Sequence, residues 1–234
     1  RAKAKPKNAC KTKIIERNES IINKLHFHMI TSNRYIDNRY NEYLPYKLKN
    51  GIQCHIQSQV FFSCPQIIDT LTQDVTACLK LLPSNLYSLI QRIPIYINAS
   101  YQFGPIDKPN RVTHTTAHHS HVWLETMYDL PQKSKSIEIY NAAEYLIMRR
   151  HWNGCGLILH ELCHLIHQLV LPQGLNNELV LEAFGNILNK ERYDTVYRRD
   201  WGYSEEQVDC AYATINHKEF FAELSVAYWS RGYD

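Results

Sequence analysis

The clearest pattern of apolar and polar positions lies between residues 157 and 172. Most positions in this stretch are apolar, and the polar ones are His160, Glu161, His164, His167 and Gln168. These positions lie on one side of an α-helix, because residues three and four apart along a helix share a face. The pattern predicts a helix over residues 153–172, with Asn153 as its N-cap, that is buried on most sides and shows one polar stripe to a cleft.

Further helices are predicted from the same kind of spacing. Apolar residues recur at steps of three and four between Pro65 and Pro83, and the second proline ends the pattern. A shorter helix is predicted over residues 84–91. Another is predicted over residues 177–188, where apolar side chains again share one face.

Two segments, residues 93–97 and 136–141, alternate isoleucine with other residues as half-buried strands do. Asn50-Gly51 is a turn signal, and a β-hairpin is predicted around it. Strands followed by the long apolar helix indicate an α+β fold. We expect a small, mostly antiparallel sheet packed on that helix and a helical C-terminal part.

Four histidines lie between the two strand segments: His114, His118, His119 and His121. No carboxylate lies among them at the spacing of metal ligands, so we favour a polar loop that leads into a strand at residues 122–124. If one of these histidines takes part in chemistry, we expect it to line the cleft and contact substrate.

Length and charge narrow the class of protein. The 234 residues, of which 44% are hydrophobic, suffice for one large domain with a buried core. Residues 1–64 are expected to form an N-terminal arm and accessory layer, and residues 65–234 the main domain. The net charge is only +3, so the overall electrostatic field of the protein does not indicate binding to nucleic acid. The local basic excess over residues 1–13 is interpreted as a solvated arm. No apolar run in the chain reaches the roughly 18 residues of a membrane span.

Two weak signals favour a secreted protein. The seven cysteines contain no C-x-x-C pair, which argues against a zinc ribbon or a thioredoxin motif. Asn18-Glu19-Ser20 and Asn98-Ala99-Ser100 match the sequence requirement for N-glycosylation.

The polar stripe contains the motif H-E-x-x-H, formed by His160, Glu161 and His164. It places two imidazoles one helical turn apart with a carboxylate beside them, which is the arrangement that zinc chemistry requires. Burial of these groups is unfavourable unless something pairs with them, and a divalent cation does so. A structural alternative is a buried helix whose histidines are satisfied by hydrogen bonds.

A third zinc ligand must come from beyond His164. Glu182, on the helix that follows, is a minor candidate. Glu219 and Glu223 are stronger candidates, because they lie four residues apart on one face of another apolar helix and need a cationic partner. His167 and His217 are expected to support the ligands or to face solvent, and Cys163 is expected to be a small core residue.

These motifs together resemble the anthrax lethal factor-like group of gluzincin metallopeptidases. The resemblance rests on H-E-x-x-H followed by Tyr212, six residues, and then Glu219-Phe-Phe-Ala-Glu223, and it covers about residues 155–230. It implies a zincin-like fold for residues 65–234 and one bound Zn²⁺. The implied ligands are His160, His164 and Glu219.

The resemblance also implies roles for the neighbouring residues and an activity. Glu161 would be the general base, Tyr212 would lie beside the metal, and Glu223 would orient a ligand histidine. The implied activity is that of a zinc endopeptidase acting on a peptide or protein substrate. We expect residues 136–141 to form a strand at the edge of the cleft that pairs with this substrate. Two alternatives stay open: a non-catalytic binding domain that zinc stabilises, and a toxin-like or effector protease with a single protein target.

Overall fold

The structure is a computed structural model that describes residues 35–39, 41–188, 196–199 and 206–230. The predicted basic arm and the Asn18 sequon lie outside these described residues.

The described strands, numbered in chain order, are β1 Tyr35–Asp37, β2 Tyr43–Lys47, β3 Gln53–Gln57, β4 Ile95–Ile97, β5 Tyr101–Pro105, β6 Asn110–Val112, β7 Thr115–Ala117, β8 Ile137–Ile139, β9 Val196–Arg199 and β10 Glu206–Asp209. The described α-helices are α1 Val60–Ser63, α2 Gln66–Leu81, α3 Tyr87–Ile90, α4 His121–Thr126, α5 Ala142–Met148, α6 Gly156–Val170, α7 Glu178–Ile187 and α8 His217–Ser230. The fold is α+β, as the order of strand and helix patterns indicated.

The main sheet has five strands in the order β2-β3-β4-β8-β7. The hairpin predicted around Asn50-Gly51 is confirmed as β2 and β3, and Gly51 adopts the positive φ of +92° that its turn requires. The expectation of a mostly antiparallel sheet is wrong for this sheet, because β3 pairs parallel with β4 and β4 pairs parallel with β8. Helices α1 to α3 lie between β3 and β4 in the chain and form the crossover that parallel strands require. The strands of residues 43–57 therefore share one sheet with strands from the later part of the chain.

The strand predicted at the edge of the cleft lies inside the main sheet instead. Within residues 136–141, β8 lies between β4 and β7, and its three residues are buried. The strand at that edge of the sheet is β7, which pairs antiparallel with β8 and has no second neighbour among the described strands. Any extended ligand that adds to the sheet at this side would therefore meet β7.

One face of the main sheet packs on α2 and α6. The residues that meet there include Ile67 and Leu71 of α2, Ile137 and Ile139 of β8, and Leu159 of α6, all fully buried. Both helices were predicted from their spacing. However, α6 begins at Gly156, since Asn153 has a φ of +50° and ends the preceding 3-10 turn rather than capping α6. Burial of each large side chain in this layer stabilises the fold by about 1.5–3 kcal/mol.

The opposite face of the sheet carries a buried ionic cluster. Lys133 is 0% exposed, and its ammonium lies 2.7 Å from Glu138 of β8 and 2.9 Å from Asp129. The same ammonium lies 5.3–5.8 Å from the ring centroids of Tyr43, Tyr96 and Tyr101. Burial of this lysine is tolerated because the carboxylates and the aromatic ring faces replace the hydration of its ammonium group.

Asn98 belongs to the same polar layer. Its side chain is fully buried, and its amide donates a 2.8 Å hydrogen bond to Glu138. An asparagine held in this way is not accessible for glycosylation in the folded chain. Six cysteines lie in the described residues, and five of them, Cys54, Cys64, Cys78, Cys155 and Cys163, are free thiols there. Among the described residues, no helix combines the length and the apolar character needed to cross a membrane.

Candidate metal centre

The polar stripe of α6 faces the C-terminal helix α8. His160, Glu161 and His164 are each at most 6% exposed, although the other sides of α6 pack into the apolar core. Because His160 and His164 lie one turn apart, both imidazoles point the same way, and their Nε2 atoms are 3.1 Å apart.

Glu219 reaches this pair from the first turn of α8. Asn216 holds that turn, since its side-chain oxygen accepts hydrogen bonds from the backbone N–H groups of Lys218 and Glu219. An Oε2 atom of Glu219 lies 3.2 Å from His160 Nε2 and 3.3 Å from His164 Nε2. The structure thus brings together three residues that could hold a metal ion: His160, His164 and Glu219.

Glu223 lies one turn further along α8 and contacts the other side of the same imidazole. Its Oε1 atom is 3.1 Å from His160 Nδ1. Burial opposes protonation of His160, but the carboxylates of Glu219 and Glu223 outweigh burial and raise its pKa to about 10. Burial likewise opposes ionisation of Glu219, yet His160 and His164 lower its pKa to about 2. In this buried site the imidazoles and the carboxylates of Glu219 and Glu223 therefore stabilise each other's charged forms.

Glu161 contacts the edge strand β7 through a hydrogen bond from the backbone N–H of Ala117. Burial raises the pKa of this carboxyl, whereas His160, His164 and the backbone N–H of Ala117 in β7 act to lower it.

Tyr212 lies on the other side of His160. It belongs to the 3-10 turn Tyr212–Thr214 that precedes α8, and its ring centroid is 6.4 Å from that of His160. The side chain is 41% exposed.

The structure also brings His119 to the site, a residue that the sequence did not single out from its cluster. Its ring stands edge-on to His164 with the centroids 5.6 Å apart. The Nδ1 atom of His119 lies 2.9 Å from Oε1 of Gln168, and Nε2 of Gln168 donates a 2.9 Å hydrogen bond to the His119 carbonyl oxygen. Burial lowers the pKa of His119 to about 4 and so keeps the ring neutral near pH 7. Two sequence signals bear on this contact: the expectation that a histidine of the cluster could line the cleft, and Gln168 in the polar stripe of α6.

The other three histidines of the cluster do not reach the ligand group. His118 is buried on the far side of the sheet, where its Nε2 atom lies 2.7 Å from Glu138. His114 packs against Tyr140, and His121 is exposed at the start of α4. The strand expected at residues 122–124 is in fact part of α4, which begins there because the Ser120 side chain accepts a hydrogen bond from the Trp123 N–H.

The remaining candidates lie elsewhere. Glu182 is exposed on α7 and is not part of the group that could hold a metal. Cys163 is a buried core residue, as expected. His167 does not face solvent: it is 0% exposed, its ring lies 4.6 Å from that of Phe221, and neither of its ring nitrogens has a hydrogen-bond partner among the described residues.

Comparisons with protein-family models, with curated proteins and with solved structures found no match to this chain.

Proposed function

We propose that this protein is a zinc-dependent endopeptidase that holds one Zn²⁺ through His160, His164 and Glu219. The observation that carries the proposal is the convergence of their three ligand atoms, 3.1–3.3 Å apart, beside the carboxylate of Glu161. Zinc bonds to nitrogen and oxygen of about 2.0–2.2 Å place neighbouring ligands of a tetrahedron about 3.3–3.6 Å apart. The observed triangle is close to one face of such a tetrahedron.

Hydrogen bonds alone leave this group poorly satisfied. The Nδ1 atom of His160 lies 3.1 Å from Glu223 Oε1, but neither atom makes a hydrogen bond of acceptable geometry with any described residue. The Nδ1 atom of His164 likewise has no hydrogen-bond partner among the described residues. A bound cation would take the place of the proton that the raised pKa assigns to His160, because a zinc ligand must be a neutral imidazole.

Each chain residue has a distinct part in the proposed reaction. Bound zinc would polarise the scissile carbonyl and make water acidic enough to be deprotonated near pH 7. The Glu161 carboxylate takes the proton of the attacking water and returns it to the leaving amine. The Tyr212 hydroxyl donates a hydrogen bond to the oxyanion. Glu223 accepts the Nδ1 proton of His160 and so fixes the tautomer whose Nε2 lone pair points at the ligand site.

The substrate side of the site is the edge strand β7. An extended peptide can add to a free strand edge through main-chain hydrogen bonds, which bind it largely regardless of its side chains. Glu161 lies against Ala117 of this strand, so a peptide lying there has a carbonyl near the proposed general base. This role replaces the one that the sequence suggested for residues 136–141.

The test is the substitution Glu161→Gln in zinc-loaded protein, with Glu182→Gln as the matched control on an exposed helix face. The expected result is one bound zinc per chain, an unchanged melting temperature and a loss of peptide hydrolysis by several orders of magnitude, because the base is lost and the ligands are kept. The measurements are metal content by mass spectrometry and cleavage of a peptide library. Wild-type protein that binds zinc and cleaves no peptide would instead support a binding domain that zinc stabilises.

A further inference from the structure

His119 stands between the two parts of the proposed site. It follows β7 by two residues, and its ring packs edge-on against the ligand residue His164. A side chain in this position borders both the strand that would pair with a peptide and the group that would hold the metal.

The residue before His119 is fixed by hydrogen bonds to the segment around β8. His118 is 2% exposed, and its Nε2 atom lies 2.7 Å from the carboxylate of Glu138, which also contacts the Lys133 ammonium. The His118 N–H donates to the Ser136 carbonyl at 2.9 Å, and its carbonyl accepts from the Lys135 N–H at 2.7 Å. Because neighbouring side chains of an extended chain point to opposite sides, the anchoring of His118 directs His119 toward the metal side.

The two contacts with Gln168 determine which ring nitrogen of His119 carries the proton. The Gln168 amide nitrogen must face the His119 carbonyl oxygen, since only the nitrogen can donate. The Gln168 oxygen therefore faces His119 Nδ1, which must carry a hydrogen to make the second bond. In the neutral ring this leaves Nε2 as an acceptor, and Nε2 makes no hydrogen bond with any described residue.

We propose that His119 is a substrate-binding residue whose Nε2 atom accepts a hydrogen bond from a backbone N–H of an extended peptide bound along β7. The proposal rests on the proposed peptidase function and adds a specificity to it. A substrate needs a free N–H at the matching position, so proline or an N-methylated residue there binds poorly. Gln168 is a positioning residue, because it acts only by fixing the tautomer and orientation of His119.

The test compares two substitutions that keep different atoms of the ring. In His119→Gln the side-chain amide reaches the place of Nε2, whereas in His119→Asn it reaches only the place of Nδ1. We expect the Asn variant to raise KM about five- to tenfold with kcat little changed, and the Gln variant to stay within about twofold of wild type. A residue that merely tied the loop to α6 through Gln168 would give the reverse order. His121→Asn, at an exposed histidine two residues away, is the matched control and should leave KM unchanged.

A second arm identifies the partner atom on the substrate. A cleaved peptide is resynthesised with one N-methyl group at each backbone position in turn. At one position the N-methyl group should raise KM for the wild-type protein and have little effect on KM for His119→Asn, because that variant has already lost the hydrogen bond. If every N-methyl group affects both proteins equally, the proposal is wrong.

An NMR measurement tests the arrangement without reference to activity. In zinc-loaded protein the ring nitrogens of His119 should show a protonated Nδ1 and an unprotonated Nε2, and Gln168→Met should disturb this pattern. A wild-type protein that cleaves no peptide would overturn the proposed function together with the role of His119. Active protein with an unchanged KM in His119→Asn, or with the proton on Nε2, would overturn the role of His119 alone.

Discussion

Glu223 touches the proposed metal centre only through His160, so its replacement isolates the effect of a residue behind a ligand. Its Oε1 atom lies 3.1 Å from His160 Nδ1, and its side chain is 26% exposed, so solvent screens the contact only in part. Loss of such a partner typically lowers metal affinity about 10- to 100-fold, or about 1.4–2.7 kcal/mol.

Two substitutions of Glu223 should give the lower and the upper end of this 10- to 100-fold range. Glu223→Gln removes the charge but keeps an oxygen that can accept the Nδ1 proton, so we expect about a tenfold rise in the zinc Kd. Glu223→Leu removes the acceptor as well and leaves the N–H of His160 without a partner, so we expect about a hundredfold rise. Glu219→Gln, which changes a proposed ligand, should weaken binding more than either.

The assay is competition for zinc against a chromophoric chelator at fixed pH and ionic strength, with circular dichroism to verify the fold. Glu182→Gln makes the same chemical change at an exposed carboxylate and should leave the Kd unchanged. The reasoning is refuted if Glu223→Gln binds zinc within twofold of wild type, or if Glu182→Gln weakens binding equally.

Three further predictions concern the oxyanion donor and the buried ionic cluster. Tyr212→Phe should lower kcat about 100-fold with zinc content and KM nearly unchanged, which steady-state kinetics and mass spectrometry will check; an unchanged kcat would remove Tyr212 from the reaction. Lys133→Met removes the ammonium that lies between the buried carboxylates of Asp129 and Glu138 and should reduce the free energy of unfolding by about 3–5 kcal/mol, measured by urea denaturation. Burial works against ionisation of Glu138, but His118 and Lys133 outweigh it and hold its pKa below the ordinary 4.5. The stability from this ionised group is therefore fully present above pH 4.5 and lost as the pH falls through its lower folded pKa, so urea unfolding across an acid pH series should show a shallower loss in Glu138→Gln than in wild type.

Local patterns predicted the elements whose neighbours lie close in sequence. The helices over residues 66–81, 156–170 and 178–187 follow from apolar spacing, and the hairpin follows from Asn50-Gly51. The closeness of His160 and His164 is also a local property, because a helix always brings residues four apart onto one face.

The strand predicted at residues 136–141 is present as β8, but its expected place at the cleft edge was wrong for a physical reason. Alternation of Ile137, Glu138 and Ile139 suggested a strand with one solvated face, but Glu138 is 0% exposed. A second layer that contains Lys133 covers that face and supplies the charge that Glu138 needs. A polar residue in a strand pattern indicates a polar environment, which is not always water.

The order of the strands in the main sheet could not be predicted from the sequence either. Pairing of β4 with β8 joins segments about 40 residues apart, and no local pattern states which strand becomes the neighbour of another. The contact of His119 with Gln168 spans 49 positions and was missed for the same reason.

The sequence by itself determined the helix that carries His160, Glu161 and His164, since that geometry depends only on the 3.6-residue period of the α-helix. It also marked Glu219 and Glu223 as carboxylates on an apolar helix that needed a positive partner. Only the tertiary structure decided that Glu219 meets both imidazoles, that β7 is the edge of the main sheet among the described strands and that His119 packs against His164. Those contacts depend on the packing of distant segments, which is fixed by burial and charge pairing across the whole chain rather than by any single stretch of it.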